Sequence, residues 1–90
     1  MKVNVRSIAV FHTVPSSMEL SVSAGTDMAG LVRHVSASYP EFGETLVTGG
    51  EIHSQIIVLQ NGVSIRQRQG LASMLEDGDE LYVAPMIHGG

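Results

Sequence analysis

The residues best suited to chemistry stand at the end of the sequence, in Met86-Ile87-His88-Gly89-Gly90. Glycines have no β-carbons, so a Gly-Gly end can thread a narrow channel and present its carboxylate to a buried site. At neutral pH that carboxylate is ionised and unreactive toward nucleophiles. An acyl derivative at Gly90 therefore needs activation, for example as an acyl-adenylate formed from ATP by a partner, which sulfur or an amine then displaces. Gly90 is the expected reacting residue and Gly89 gives it slim access, while Met86, Ile87 and His88 are expected to lie in the partner's channel. Extended, the five residues reach roughly 16 Å at about 3.3 Å per residue.

The rest of the sequence offers little self-contained chemistry. It has no Cys, which removes disulfides, thiolate metal sites and a Cys nucleophile together. The four histidines, at 12, 34, 53 and 88, never share the i, i+4 spacing of a helical zinc pair, and the first three read as surface residues. Asp77-Gly78-Asp79-Glu80 lacks the alternating ligands and closing Glu of a calcium loop and reads as a turn. No metal site is expected. There is no phosphate-binding Gly-Lys-Ser/Thr motif and no nucleophile elbow, so the protein is not expected to be an enzyme.

Composition narrows the partners. The 90 residues are 43% hydrophobic and 16% charged, the balance of a single globular domain. The net charge is −4 and the five Lys and Arg are spread from Lys2 to Arg68, so no basic patch exists to hold nucleic acid. Met1-Lys2-Val3-Asn4 lacks the apolar stretch of a secretion signal, and no segment is long enough to span a bilayer. A cytoplasmic protein without membrane partners is expected.

The elements that must carry the tail follow from periodicity. Val3 to Phe11 reads as a strand whose alternation breaks at Ile8, which suggests a bulge or a strand covered on both faces. Met18, Leu20 and Val22 alternate with polar residues in a second strand, making a hairpin. Thr26 or Asp27 caps a helix whose apolar stripe is Met28, Leu31, Val32 and Val35, and which stops before Pro40. Glu41 to Thr48 holds a second short helical turn with Phe42 and Leu46 inward, and Gly49-Gly50 breaks the chain. Ile56 to Leu59 suits a central strand, Asn61-Gly62 a hairpin turn, and Val63 to Arg66 a short return strand. Leu71 and Leu75 anchor a connection, and Asp77-Gly78 turns into a last strand from Glu80 to Pro85. The order predicts an α+β protein of β-grasp, ubiquitin-like type: a mixed sheet of about five strands with one main helix on one face. Residues 1–85 form the domain and 86–90 a flexible tail.

The sequence resembles the MoaD/ThiS family of ubiquitin-like sulfur carriers. The resemblance rests on Asn61-Gly62-Val63-Ser64-Ile65, Gly70-Leu71, Leu75-Glu76-Asp77-Gly78-Asp79-Glu80-Leu81 and the proline before a terminal Gly-Gly, and more loosely on Tyr39-Pro40-Glu41. It implies that Gly90 is adenylated by a ubiquitin-activating-type adenylyltransferase, with ATP and magnesium held by that partner and no cofactor on this chain. It further implies conversion to a thiocarboxylate that gives its sulfur to a biosynthetic enzyme. That enzyme would be the molybdopterin synthase large subunit or a cysteine-synthase-type enzyme; of the carriers the chain resembles, the thiamine carrier is third choice. His88 stands where the family tail is commonly small and apolar, which implies a roomier or polar channel.

One helix covers one sheet face, so the other face is expected to meet partners. Ile57, Leu59 and Tyr82 are the candidates, because Ile56, Val58, Leu81 and Val83 alternate with them and suit the core. Two other functions use the same features: a ubiquitin-like modifier joined through Gly90 to lysines, and a β-grasp interaction module such as a phage tail assembly factor.

Overall fold

A computed structural model describes residues 1–86. Seven strands and two helices follow in order: β1 (Lys2–Ser7), β2 (Ser17–Ser21), α1 (Met28–Ser36), α2 (Pro40–Leu46), β3 (Val47–Thr48), β4 (Glu51–Ile52), β5 (Ile56–Gln60), β6 (Val63–Ser64) and β7 (Asp79–Pro85). The main sheet runs β2-β1-β7-β5-β6, and β3 and β4 form a small separate pair. β1 is antiparallel to β2 but parallel to β7, and β7 is antiparallel to β5, so the sheet is mixed with β7 in its middle. This is the β-grasp arrangement that the element order predicts.

α1 begins where Asp27 accepts a hydrogen bond from the Gly30 N–H at 2.8 Å, and it buries the stripe Met28, Leu31, Val32 and Val35. The second helical segment is longer than one turn. Pro40 opens it at a position where no intrahelical N–H is needed, and Phe42 and Leu46 point inward. α2 can lie close on α1 because Gly43 has no side chain: a β-carbon there would stand 2.6 Å from the Ser36 Oγ. The core joins these residues to Val3, Val5, Ile56, Val58, Leu81 and Val83 from the sheet. Asn61 and Gly62 both have positive φ, 51° and 85°, as a two-residue hairpin turn requires.

Two boundaries and one turn differ from the sequence reading. β1 ends at Ser7 rather than Phe11: Ala9 takes a φ of 56°, and the Ser7 N–H bonds back to Ser16 O, closing a loop instead of extending a strand. The expected return strand to Arg66 stops at Ser64, and Ile65–Gln67 coil into a 3-10 turn whose Arg66 N–H donates to the Ser64 hydroxyl. Gly49-Gly50 does more than break the chain. Its two positive φ values, 60° and 80°, turn β3 back on β4.

Candidate functional site

β7 leads to the tail, and its placement fixes where the tail leaves. The strand is held on both sides, with Val3 to Ser7 beside it on one flank and Ile56 to Gln60 on the other. Its entry is tight. The Asp77 carboxylate accepts the Lys2 N–H at 2.7 Å, and the Gly78 N–H donates to Lys2 O at 2.7 Å. Asp79, 5% exposed, accepts from the Glu76 N–H, the Asn61 side-chain amide and the Gln60 side-chain amide at 2.7–2.9 Å. Burial, the largest single influence, pushes the Asp79 carboxyl up. Those hydrogen bonds and the more distant Arg68 charge together outweigh it and hold the carboxyl below the usual carboxylate range.

At the other end the ladder runs one residue past the strand, since the Met86 N–H donates to Gln55 O at 2.7 Å. The segment that receives it is braced by Arg66. One guanidinium nitrogen donates to Ile56 O at 2.7 Å and the other to His53 O at 2.6 Å. The His53 Nδ1 accepts the Gln55 N–H at 3.0 Å, so its ring is half-buried in this turn rather than free on the surface; His12 and His34 are exposed.

Strand alternation sorts the flanking side chains. Ile56, Val58, Leu81 and Val83 are buried under the helices, whereas Ile57 and Leu59 are half-buried and Tyr82 is 40% exposed on the opposite face. Register sets Leu59 across from Tyr82 and Ile57 across from Ala84, so the three candidate patch residues share one surface. Ile57 and Tyr82 join Ile8, Ala9, Ala84, Pro85 and Met86 around an open apolar depression of about 560 Å³ at the strand's exit. Leu59 lies outside it, in the adjoining, more polar groove with Arg6, Glu80 and Tyr82. Of the expected channel residues, Met86 lines the depression. Ile87, His88, Gly89 and Gly90 lie outside the described residues.

Ile8 and Ala9 were not legible as site residues, because the continuous apolar run conceals the loop. Ile8 is 56% exposed yet anchored, its N–H bonded to Val83 O at 3.0 Å. The loop that carries it is clamped by Glu41, whose carboxylate accepts the N–H groups of His12 and Thr13 and the Thr13 hydroxyl at 2.7–2.9 Å. Those bonds, led by the Thr13 and His12 N–H groups, hold the Glu41 carboxyl below its usual range. Phe11 stacks on Phe42 with ring centroids 5.1 Å apart, fixing the same loop from the apolar side.

A second depression, about 570 Å³, lies between Glu51, Arg66, Arg68 and Leu71. It offers less chemistry: its Arg66 guanidinium is committed to backbone carbonyls, and Glu51 opposes anions there. Among the described residues no group of three or more His, Asp or Glu could hold a metal ion, and no helix is long and apolar enough to cross a membrane.

Comparison with known proteins agrees with this geometry. A family model described as the ThiS family matches residues 4–90. Small archaeal modifier protein 3 of Haloferax volcanii is 29% identical over 92 residues, covering 100% of both chains. The sulfur carrier protein CysO of Mycobacterium tuberculosis is 31% identical over 74 residues, covering 78% of this chain and 80% of the relative. A chain from the crystal structure of the Amycolatopsis orientalis BexX/CysO complex matches with a TM-score of 0.80 at 26% identity, covering 98% of this chain and 99% of that one.

Proposed function

The chain belongs to the ThiS family, and on that premise we propose that it is a ubiquitin-like sulfur carrier whose Gly90 carboxylate is the reacting group. An oxygen of that carboxylate attacks the α-phosphorus of ATP on a partner adenylyltransferase, and pyrophosphate leaves. A sulfur nucleophile then takes the place of AMP, and the resulting thiocarboxylate gives its sulfur to a biosynthetic enzyme in the cytoplasm. The chain's own part is to be held while its tail is fed into the partner.

The observation that carries this reading is the coincidence of tail and patch. The central strand delivers its last residues beside the apolar depression of Ile8, Ile57, Tyr82 and Pro85. A partner that receives the tail must cover the surface where the tail leaves. We therefore assign the adenylyltransferase as the occupant of this depression, with Tyr82 as the aromatic anchor. The half-buried Leu59 extends the same face. Removing Gly90 is the test: it should abolish ATP–pyrophosphate exchange by the adenylyltransferase while leaving thermal unfolding unchanged, and exchange that survives would end the proposal.

The 29% identical relative, by name a modifier protein, favours a second reading in which the same activated Gly90 is joined to lysines of other proteins. Covalent adducts on target lysines would support it, and a thiocarboxylate without adducts would support the carrier.

A further inference from the structure

Ile8 is the most exposed large apolar side chain among the described residues, at 56%, and it stands in the wall of the depression with Tyr82 and Pro85. β1 alone does not put it there. The strand ends at Ser7, and Ala9 takes a φ of 56°. That left-handed conformation is disfavoured for a residue with a β-carbon and persists where the surroundings over-determine it.

The surroundings act from both ends of the loop. At its start the Ser7 N–H donates to Ser16 O at 2.9 Å and the Ile8 N–H to Val83 O at 3.0 Å. Further on, Val10 and Phe11 pack against the core and Val14 is buried in it. Those contacts leave the loop's polar crest, His12 and Thr13, exposed. Glu41 holds the crest. Its carboxylate accepts both crest N–H groups and the Thr13 hydroxyl at 2.7–2.9 Å, charge-assisted bonds of the stronger kind. Pro40, in the first turn of α2, fixes the backbone from which Glu41 reaches across. The Tyr39-Pro40-Glu41 motif therefore holds a loop that opens on Ile8, although Glu41 itself is not part of the depression's lining.

An apolar side chain on a loose loop docks weakly, because binding must first order it; one held in place beforehand loses less. We propose that Glu41 is a positioning residue for docking, which acts by holding Ile8 in the wall that the adenylyltransferase covers. The proposal rests on the reading of this depression as that enzyme's docking surface. Without the clamp, Ala9 returns to a negative φ and the Ile8 side chain leaves the wall. Docking weakens while the chemistry, which belongs to the partner and the tail, is untouched, so the loss appears in KM and not in kcat.

Amide hydrogen exchange and pyrophosphate-exchange kinetics test this on Ile8→Ser, Glu41→Ala, Glu41→Gln and the double variant Ile8→Ser/Glu41→Ala, at a temperature where circular dichroism shows each folded. In Glu41→Ala the Ile8 amide should exchange faster, and KM for the chain should rise roughly five-fold with kcat unchanged. Glu41→Gln keeps one acceptor oxygen and should recover part of both losses. Ile8→Ser should raise KM roughly ten-fold, and adding Glu41→Ala should raise it no further, because both act through one contact. Full multiplication of the two effects would overturn the proposal, since Glu41 would then act independently of Ile8. An Ile8 amide that stays protected in Glu41→Ala, or a KM that does not move there, would overturn it as well. An unchanged KM in Ile8→Ser would remove Ile8 from docking and the proposal with it. Absence of pyrophosphate exchange on the unaltered chain would instead overturn the reading of Gly90, and the docking role of Glu41 would fall with that reading.

Discussion

Leu81 and Tyr82 are neighbours on β7 that face opposite ways, and truncating each in turn separates folding from docking. Leu81 is 1% exposed within the core, Tyr82 40% exposed beside the tail's exit. Leu81→Ala opens a cavity under the helices and should cost about 2–5 kcal/mol, lowering Tm by at least about 8 °C for a domain of this size. Tyr82→Ala removes a part-exposed ring that stands across from Leu59 and Arg6 and lines the depression, and it opens no cavity in the core. Its cost should be about 1 kcal/mol or less. Docking should respond in reverse. A buried aromatic anchor is worth about 2 kcal/mol, so Tyr82→Ala should raise the adenylyltransferase's KM for this chain roughly 30-fold with kcat little changed. Thermal unfolding followed by circular dichroism and pyrophosphate-exchange kinetics on both variants form the assay. Equal loss of Tm in the two would mean that Tyr82 is core. An unchanged KM in folded Tyr82→Ala would remove the depression from docking.

Three further outcomes follow from the geometry around it. Gly78→Ala meets no neighbouring atom but must hold a φ of +87°, so it should cost about 1 kcal/mol and lower Tm by roughly 4–8 °C. The depressed Asp79 carboxyl contributes stability that is complete above its unfolded pKa, about 4, and is lost as pH falls through the lower folded value. Asp79→Asn should therefore be less stable at pH 7 and show a flatter loss of stability in acid titration; an identical acid profile would rule out the Asp79 network as its source. Glu41→Ala should speed hydrogen exchange of the His12 and Thr13 amides and leave the β5 and β7 amides protected, whereas unchanged loop exchange would mean the Phe11–Phe42 stack suffices alone.

What the sequence made legible was set by local pattern. The stripe Met28, Leu31, Val32 and Val35 and the inward Val58, Leu81 and Val83 lie where their periods put them, and the outward face of Ile57, Leu59 and Tyr82 follows from the same alternation. The loop after β1 was not legible, because a distant partner decides it. Phe11 belongs with Phe42, and Glu41 gathers the amides of His12 and Thr13, so a run that reads locally as strand is drawn off the sheet. That is why Ile8 and Ala9 were missed at the site. The β3–β4 pair was invisible for a different reason: two residues per strand are too few to show a period.

The claim that the other arguments serve is that Gly90 carries sulfur. Intact-mass analysis of this chain after incubation with an adenylyltransferase, ATP and a sulfur donor tests it most directly. The account predicts a gain of about 16 Da, one terminal oxygen exchanged for sulfur, confined to the peptide ending in Gly90 and absent when Gly90 is deleted. Efficient adenylation followed only by return to the ordinary carboxylate would contradict it.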